Sequence, residues 1–122
     1  MKSVIIDTSS ILFGLSSNID PFARLKENFP DRTIVVSTGI IRELTLISKE
    51  KRKESVHARI GLALIKKYGV KVVRGDEYVD TWIIKHSLRA EVVVCTNDVE
   101  LKQRLGGRGC GVFSLSRSGL LR

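Results

Sequence analysis

Apolar residues in this chain fall in short runs of three or four, separated by longer stretches with helical spacing, which is the pattern of strands alternating with helices. The first run, Val4-Ile5-Ile6, ends in Asp7 and passes into Thr8, Ser9 and Ser10. A β-branched run of this kind describes a strand buried on both faces, which delivers its terminal carboxylate to the carboxyl edge of a sheet. Open α/β folds gather their chemistry at that edge.

The same unit recurs downstream. Residues 9–15 continue apolar, and Pro21–Asn28 is amphipathic, with Asp20 as N-cap and proline at the first helical position. After the turn Phe29-Pro30-Asp31, a β-branched strand covers 33–36, and Ser37-Thr38-Gly39 caps a helix over 40–49. A charged helix or helical pair follows over 52–68, and Gly69 closes it. Strand 70–73 leads to a helix opened by Gly75 and Asp76, with Asp76 read as its N-cap, running to about residue 88. A strand over 91–95, a helix over 97–105, a glycine-rich turn over 106–109 and a last strand over 110–113 complete the series. Residues 116–122 form a tail with no assigned element.

Five short strands alternating with helices predict one domain over 1–122: an α/β fold of three layers, α/β/α, around a parallel five-stranded sheet. Right-handed crossovers place every strand's carboxyl end on one edge, so Asp7 and the residues after Cys95 share it.

Three carboxylates then fall where apolar or strand-end positions are expected. At about 100° per residue, Glu43 lies within the face made by Ile40, Leu44, Leu46 and Ile47. Asp80 shares its face with Ile83, Ile84 and Ser87, while Asp7 ends the first strand. A fourth acid, Asp98, follows the buried strand that ends in Cys95-Thr96-Asn97. An isolated carboxylate on a packing face costs several kcal/mol unless it is paired, protonated or bound to a cation. One shared cation explains all four acids.

Each acid also has a local explanation. Asp7 could satisfy N–H groups of the following helix. Asn97 with Glu100 could form a capping box, leaving Asp98 as a first-turn acid. Glu43 could pair with a lysine, and Asp80 could simply follow Asp76 and Glu77 at a helix start. The conjunction of four favours the cation. An all-oxygen ligand set suits Mg²⁺ or Mn²⁺ better than zinc.

Charge changes the picture of the partner. Twenty-one Lys and Arg against thirteen Asp and Glu give a net charge of +8, which favours a polyanion such as nucleic acid. The basic residues nearest the candidate acids in sequence are Lys49, Lys51, Arg52 and Lys53, and Lys102, Arg104 and Arg108. No apolar run approaches the roughly 20 residues of a membrane span, and the start lacks the features of a signal peptide, so a cytoplasmic location is expected. Cys95 and Cys110 sit in strand-like segments without a C-x-x-C motif and read as buried thiols. His57 and His86 read as structural or solvated, and no serine has the histidine partner that a nucleophilic triad needs. Among the aromatics, Trp82 and Tyr78 fall on the helix flank away from Asp80, with partial exposure expected.

The segments 4–9 (Val-Ile-Ile-Asp-Thr-Ser), 40–44 (Ile-Ile-Arg-Glu-Leu), Asp80 before Trp82-Ile83-Ile84, and 96–101 (Thr-Asn-Asp-Val-Glu-Leu) resemble, in order and spacing, the PIN-domain family of nucleases. The resemblance implies strand order 3-2-1-4-5 and a Mg²⁺ or Mn²⁺ site made by Asp7, Glu43, Asp80 and Asp98, with Thr96 in support. It further implies an endoribonuclease, similar to compact toxins of toxin-antitoxin pairs or ribosomal-RNA processing factors. Expected partners are therefore RNA, an antitoxin or ribosome-assembly protein, and a second copy of the chain. The competing expectation is a non-catalytic RNA-binding or scaffolding module of the same fold. A response-regulator domain wants a further acid pair near the first strand, and a haloacid-dehalogenase-like phosphatase wants an acid where Ser9 stands; the chain has neither.

Overall fold

A computed structural model describes residues 2–89 and 91–122. Strand β1 (Ser3–Ile6) is buried along its whole length, as its β-branched run requires, and lies at the centre of the sheet. It pairs in parallel with β2 (Thr33–Ser37) on one side and β4 (Val92–Cys95) on the other, so that Ile5 stands between Val35 and Val94. Strands β3 (Lys71–Val73) and β5 (Gly111–Leu115) extend the sheet, giving the parallel order β3-β2-β1-β4-β5. The expected five-stranded arrangement is present. The tail adds a two-residue strand, β6 (Leu120–Leu121), antiparallel to β5.

Among the described residues, six helices connect the strands: α1 (Thr8–Ser16), α2 (Pro21–Asn28), α3 (Thr38–Ser48), α4 (Lys53–Lys67), α5 (Val79–Ser87) and α6 (Val99–Gly106). Strand order reverses direction between β1 and β4, so right-handed crossovers put α1 to α4 on one face and α5 and α6 on the other. The contacts agree, since α1 touches α2, α3 and α4, whereas α5 touches α6. Fully buried Ile11, Phe22, Ile40 and Leu44 fill the first layer, and Ile83, Leu101 and Leu105 the second. Each such side chain contributes about 1.5–3 kcal/mol of hydrophobic stabilisation.

Local chemistry sets the helix ends. Asp20 caps α2 by accepting from the N–H groups of Phe22 and Ala23, and Gly69 follows α4 at φ +60°, both as expected. Ser37 caps α3 by accepting from Ile40 N at 3.1 Å, which starts that helix at Thr38, two residues before the expected point. Asp76 is not a cap. It is exposed and pairs with Arg74 at 3.3 Å, while α5 begins at Val79 behind Tyr78 with no side-chain cap. Trp82 is buried, against the expectation of partial exposure, because it packs on His86 and close against Gly75.

The C-terminal hairpin is held by basic side chains. Arg24 donates to the carbonyls of Ser116 and Gly119, and Lys102 donates to Ser114 Oγ and the Leu121 carbonyl. Both cysteines are free thiols, with Cys95 buried. Among the described residues, no helix is long and apolar enough to cross a membrane.

Candidate active site

The sheet reverses its strand order at the β1/β4 boundary, the place where open α/β sheets leave a crevice at their carboxyl edge. Asp7 leaves β1 there, and its N–H donates to the Cys95 carbonyl at 2.9 Å. Thr96 leaves β4 beside it.

Asp7 occupies the N-cap position of α1, yet its side chain caps nothing. Its backbone carbonyl instead accepts from Ser10 N and Ile11 N. The carboxylate turns toward β4, where Oδ2 accepts from Ser9 Oγ at 2.8 Å and Thr96 Oγ1 at 2.9 Å. Among the described residues, Oδ1 takes no hydrogen bond. The local explanation of Asp7 as a helix cap is thereby removed.

The support around this carboxylate is a polar lattice that sequence reasoning named only in part. Ser9 Oγ accepts from Asn97 N at 3.0 Å and lies 3.2 Å from Thr96 Oγ1. Asn97 Oδ1 accepts from Ser10 Oγ at 2.6 Å and Leu115 N at 3.0 Å, while its Nδ2 donates to the Leu115 carbonyl at 2.9 Å. Asn97 thus ties α1, the end of β4 and the end of β5 together. It is not half of a capping box with Glu100, because its side chain faces inward. The three-hydroxyl run Thr8-Ser9-Ser10 immediately after a strand-end acid was the available signal.

The other acids approach from separate elements. Asp98 is the N-cap of α6, with Oδ1 accepting from Leu101 N at 3.1 Å. Glu43 accepts from Thr8 Oγ1 at 2.7 Å, which joins α3 to the first turn of α1. Glu43 is exposed rather than set on a packing face. The core side of α3 is Ile40 and Leu44, whereas Glu43 and the 60 % exposed Leu46 open into a cleft. Asp80 lies half-buried in the first turn of α5 and makes no hydrogen bond or ion pair among the described residues.

Electrostatics links the four. Burial raises the Asp7 carboxyl to about 6, against the pull of its two hydroxyl donors, and the charges of Asp80 and Glu43 add to the rise. Burial also raises Asp80, helped by Asp98 and Glu100 and opposed by Arg104. None of the four acids is paired with a lysine or arginine among the described residues. Nor do any three His, Cys, Asp or Glu side chains there stand close enough to form a ready-made metal site.

The fit to a cation is therefore one of donor type and charge. The available ligands are oxygens with free lone pairs, and among the described residues only the charge of Arg104, acting on Asp80 without an ion pair, offsets their repulsion, which suits a hard divalent ion. Asp7, Glu43, Asp80 and Asp98 are the residues that could hold it.

The basic residues expected to contact nucleic acid have varied surroundings. Arg52 lies between Glu50 at 3.1 Å and Glu54 at 3.4 Å, and Lys102 is occupied by the C-terminal hairpin. Lys49, Lys51, Lys53, Arg104 and Arg108 are exposed.

Known proteins resemble this chain in sequence and fold. Ribonuclease VapC9 of Archaeoglobus fulgidus is 26% identical over 113 residues, covering 92% of this chain and 82% of its own. The solved structure of the PIN domain endonuclease Utp24 superposes with a TM-score of 0.80 at 26% identity, covering 98% of this chain and 89% of that one. A domain of a functionally unknown protein from Methanocaldococcus jannaschii shares the fold, with a TM-score of 0.68 at 18% identity over 95% of this chain and 92% of that one. Residues 4–118 match the family described as PIN like domain, a span that includes β1 from Val4 onward, helices α1 to α6 and the four acids. With the strand order in agreement, the family match over most of its length shows that this chain belongs to the PIN-like domain family.

Proposed function

We propose that the chain is a divalent-metal-dependent endoribonuclease that hydrolyses RNA phosphodiester bonds at the β1/β4 edge. One observation carries the reading: Asp7 is a buried carboxylate, oriented by two hydroxyls and without a basic partner among the described residues, beside the charges of Asp80 and Glu43. Similarity to a ribonuclease and a PIN domain endonuclease, together with the +8 net charge, supports RNA as substrate.

Asp7, Asp80 and Asp98 would hold Mg²⁺ or Mn²⁺, with Glu43 as a direct or water-mediated ligand. When bound, the ion supplies Lewis-acid polarisation of the phosphate and lowers the pKa of an attacking water. The chain's own contribution is placement. Ser9 and Thr96 keep the Asp7 carboxylate in one orientation, Asn97 braces the start of α1 and the end of β4 that carry them, and Thr8 holds Glu43. Exposed Lys49, Lys51, Lys53, Arg104 and Arg108 would draw the RNA backbone toward an otherwise negative site. Arg52 and Lys102 would add charge to the same surfaces.

A second reading is a non-catalytic RNA-binding or scaffolding module, favoured by the lack of a gathered group of three acidic ligands among the described residues. Titration with Mn²⁺ and with Mg²⁺, followed by cleavage assays on structured and unstructured RNA, separates the two. The enzyme cuts in a metal-dependent way and loses cleavage but keeps RNA affinity in Asp7→Asn. Absence of cleavage by the metal-loaded, unmutated protein favours the scaffold. An antitoxin reading frame beside the gene would assign the activity to a toxin, with the antitoxin as partner, rather than to ribosomal-RNA processing with an assembly protein.

A further inference from the structure

Between the first half of α3 and the segment entering α5 lies a cleft of about 450 Å³, in the size range of sites for small organic groups. Its apolar lining comes from Gly39, Leu46 and Val79, and Glu43, one of the four candidate acids, lies on its wall. Tyr78 also lines it and is 87 % exposed. An aromatic side chain left this open forgoes a large hydrophobic gain, and Tyr78 does so from a rigid mount: its carbonyl accepts from Trp82 N at 2.9 Å as the N-cap of α5. Asp80 follows two residues later.

Among the described residues, the charges around the cleft leave one cation free. Asp76 is paired with Arg74 at 3.3 Å, and Glu77 with Lys85 at 3.5 Å. Arg42, exposed on the cleft wall, has no hydrogen bond or ion pair among the described residues. An open aromatic face, an apolar floor and an unpaired guanidinium form the complement of one unstacked nucleotide: a base to stack on the ring and a phosphate for the arginine.

We propose that this cleft is a nucleobase subsite, in which Tyr78 stacks an unpaired base of the RNA next to the scissile phosphate and Arg42 binds that nucleotide's backbone. The proposal rests on the endoribonuclease reading and deepens it, because it makes single-stranded RNA the substrate and assigns Tyr78 and Arg42 to its recognition. Stacking here lies beside the reacting phosphate rather than on it, so it strengthens ground state and transition state alike.

The test uses fluorescence anisotropy with a labelled single-stranded RNA of about 12 nucleotides, with Mg²⁺ present, in an Asp7→Asn background that leaves it uncut. Tyr78→Ala is expected to weaken binding about 10-fold, whereas Tyr78→Phe stays within about twofold. Arg42→Ala weakens binding and lowers the salt dependence by about one phosphate contact. An abasic strand of the same length binds the Tyr78-containing protein about as weakly as the normal strand binds Tyr78→Ala, which no longer distinguishes the two. With Asp7 restored, Tyr78→Ala raises KM for cleavage with little change in kcat. The side chain is exposed, so an unchanged melting temperature checks that folding is intact. If Tyr78→Ala binds and cuts like the parent protein, the subsite is wrong while the nuclease stands, and the cleft belongs to another occupant such as a peptide. If the parent protein neither binds nor cuts RNA, the endoribonuclease reading fails and takes the subsite with it.

Discussion

Thr96 donates its hydroxyl to Asp7 Oδ2 at 2.9 Å across 89 positions of sequence. Ser9 donates to the same oxygen from two residues away, so both scaffold bonds converge on one side of the carboxylate. Hydroxyl donors leave the net charge of the group unchanged and offset its burial only in part, which is why Asp7 titrates near 6 instead of near 3.8.

That shift makes Asp7 a cost to folding at neutral pH when no cation is present. The folded carboxyl keeps its proton up to about 6, whereas the unfolded one loses it near 3.8. The folded state therefore binds more protons in between, and stability falls as pH rises through this window. The expected loss is about 3 kcal/mol. In chelator at pH 7.5, Asp7→Asn should melt higher than the parent protein, with Asn Oδ1 accepting the same two hydroxyls, and the gap should close toward pH 4. Denaturant titrations at several pH values check this; equal stability at pH 7.5 contradicts the uncompensated charge.

Asn97 should matter for stability as much as for the site. Asn97→Ala leaves the Leu115 N–H and carbonyl and the Ser10 hydroxyl without their partner. Unsatisfied groups of this kind cost about 1–3 kcal/mol each when buried, so a total near 3 kcal/mol is expected for this half-buried set. The urea midpoint should fall at unchanged m-value.

Two glycines should respond oppositely to alanine. At Gly75 a Cβ would meet Trp82 Cδ1 at 2.5 Å and Nε1 at 2.8 Å, and Trp82 is buried with little room to withdraw. Gly75→Ala should destabilise by about 1–3 kcal/mol. Gly106 ends α6 with nothing within 4 Å of the added atom, so Gly106→Ala should be neutral or stabilise by up to about 1 kcal/mol. Paired thermal melts read both signs.

The two thiols should differ in reactivity. Cys95 is buried, and burial pushes its thiol up to about 11, while Cys110 is half-exposed with a smaller rise from the same cause. Iodoacetamide at pH 8 should label Cys110 slowly and Cys95 only after unfolding, as read by peptide mass spectrometry.

The sheet was legible because its strands are near-continuous β-branched runs, and period and burial agree on both faces of Val4-Ile5-Ile6. The cap at Asp20 was legible for the same local reason. Glu43 was misplaced because helical period alone cannot tell a core face from a cleft wall: Leu46 shares the apolar stripe yet stands exposed. Asp76 was misread as a cap, and a capping box at Asn97 stood as an alternative, because a polar residue before a helix has the same composition whether its side chain turns to the backbone or elsewhere. Tertiary partners decide, Arg74 for Asp76 and Leu115 for Asn97. The lattice around Asp7 joins residues from three elements and leaves no periodic trace.

The hairpin that closes the chain also bears on how the molecule behaves among its own copies. Strand β6 spans two residues and β3 three, and Arg24 and Lys102 occupy the carbonyls of Ser116, Gly119 and Leu121. Neither rim of the sheet offers a long ladder for a stray strand to extend. A strand added at either rim would find only two or three residues to pair with, and on the β6 side Arg24 and Lys102 already hold the carbonyls that flank them.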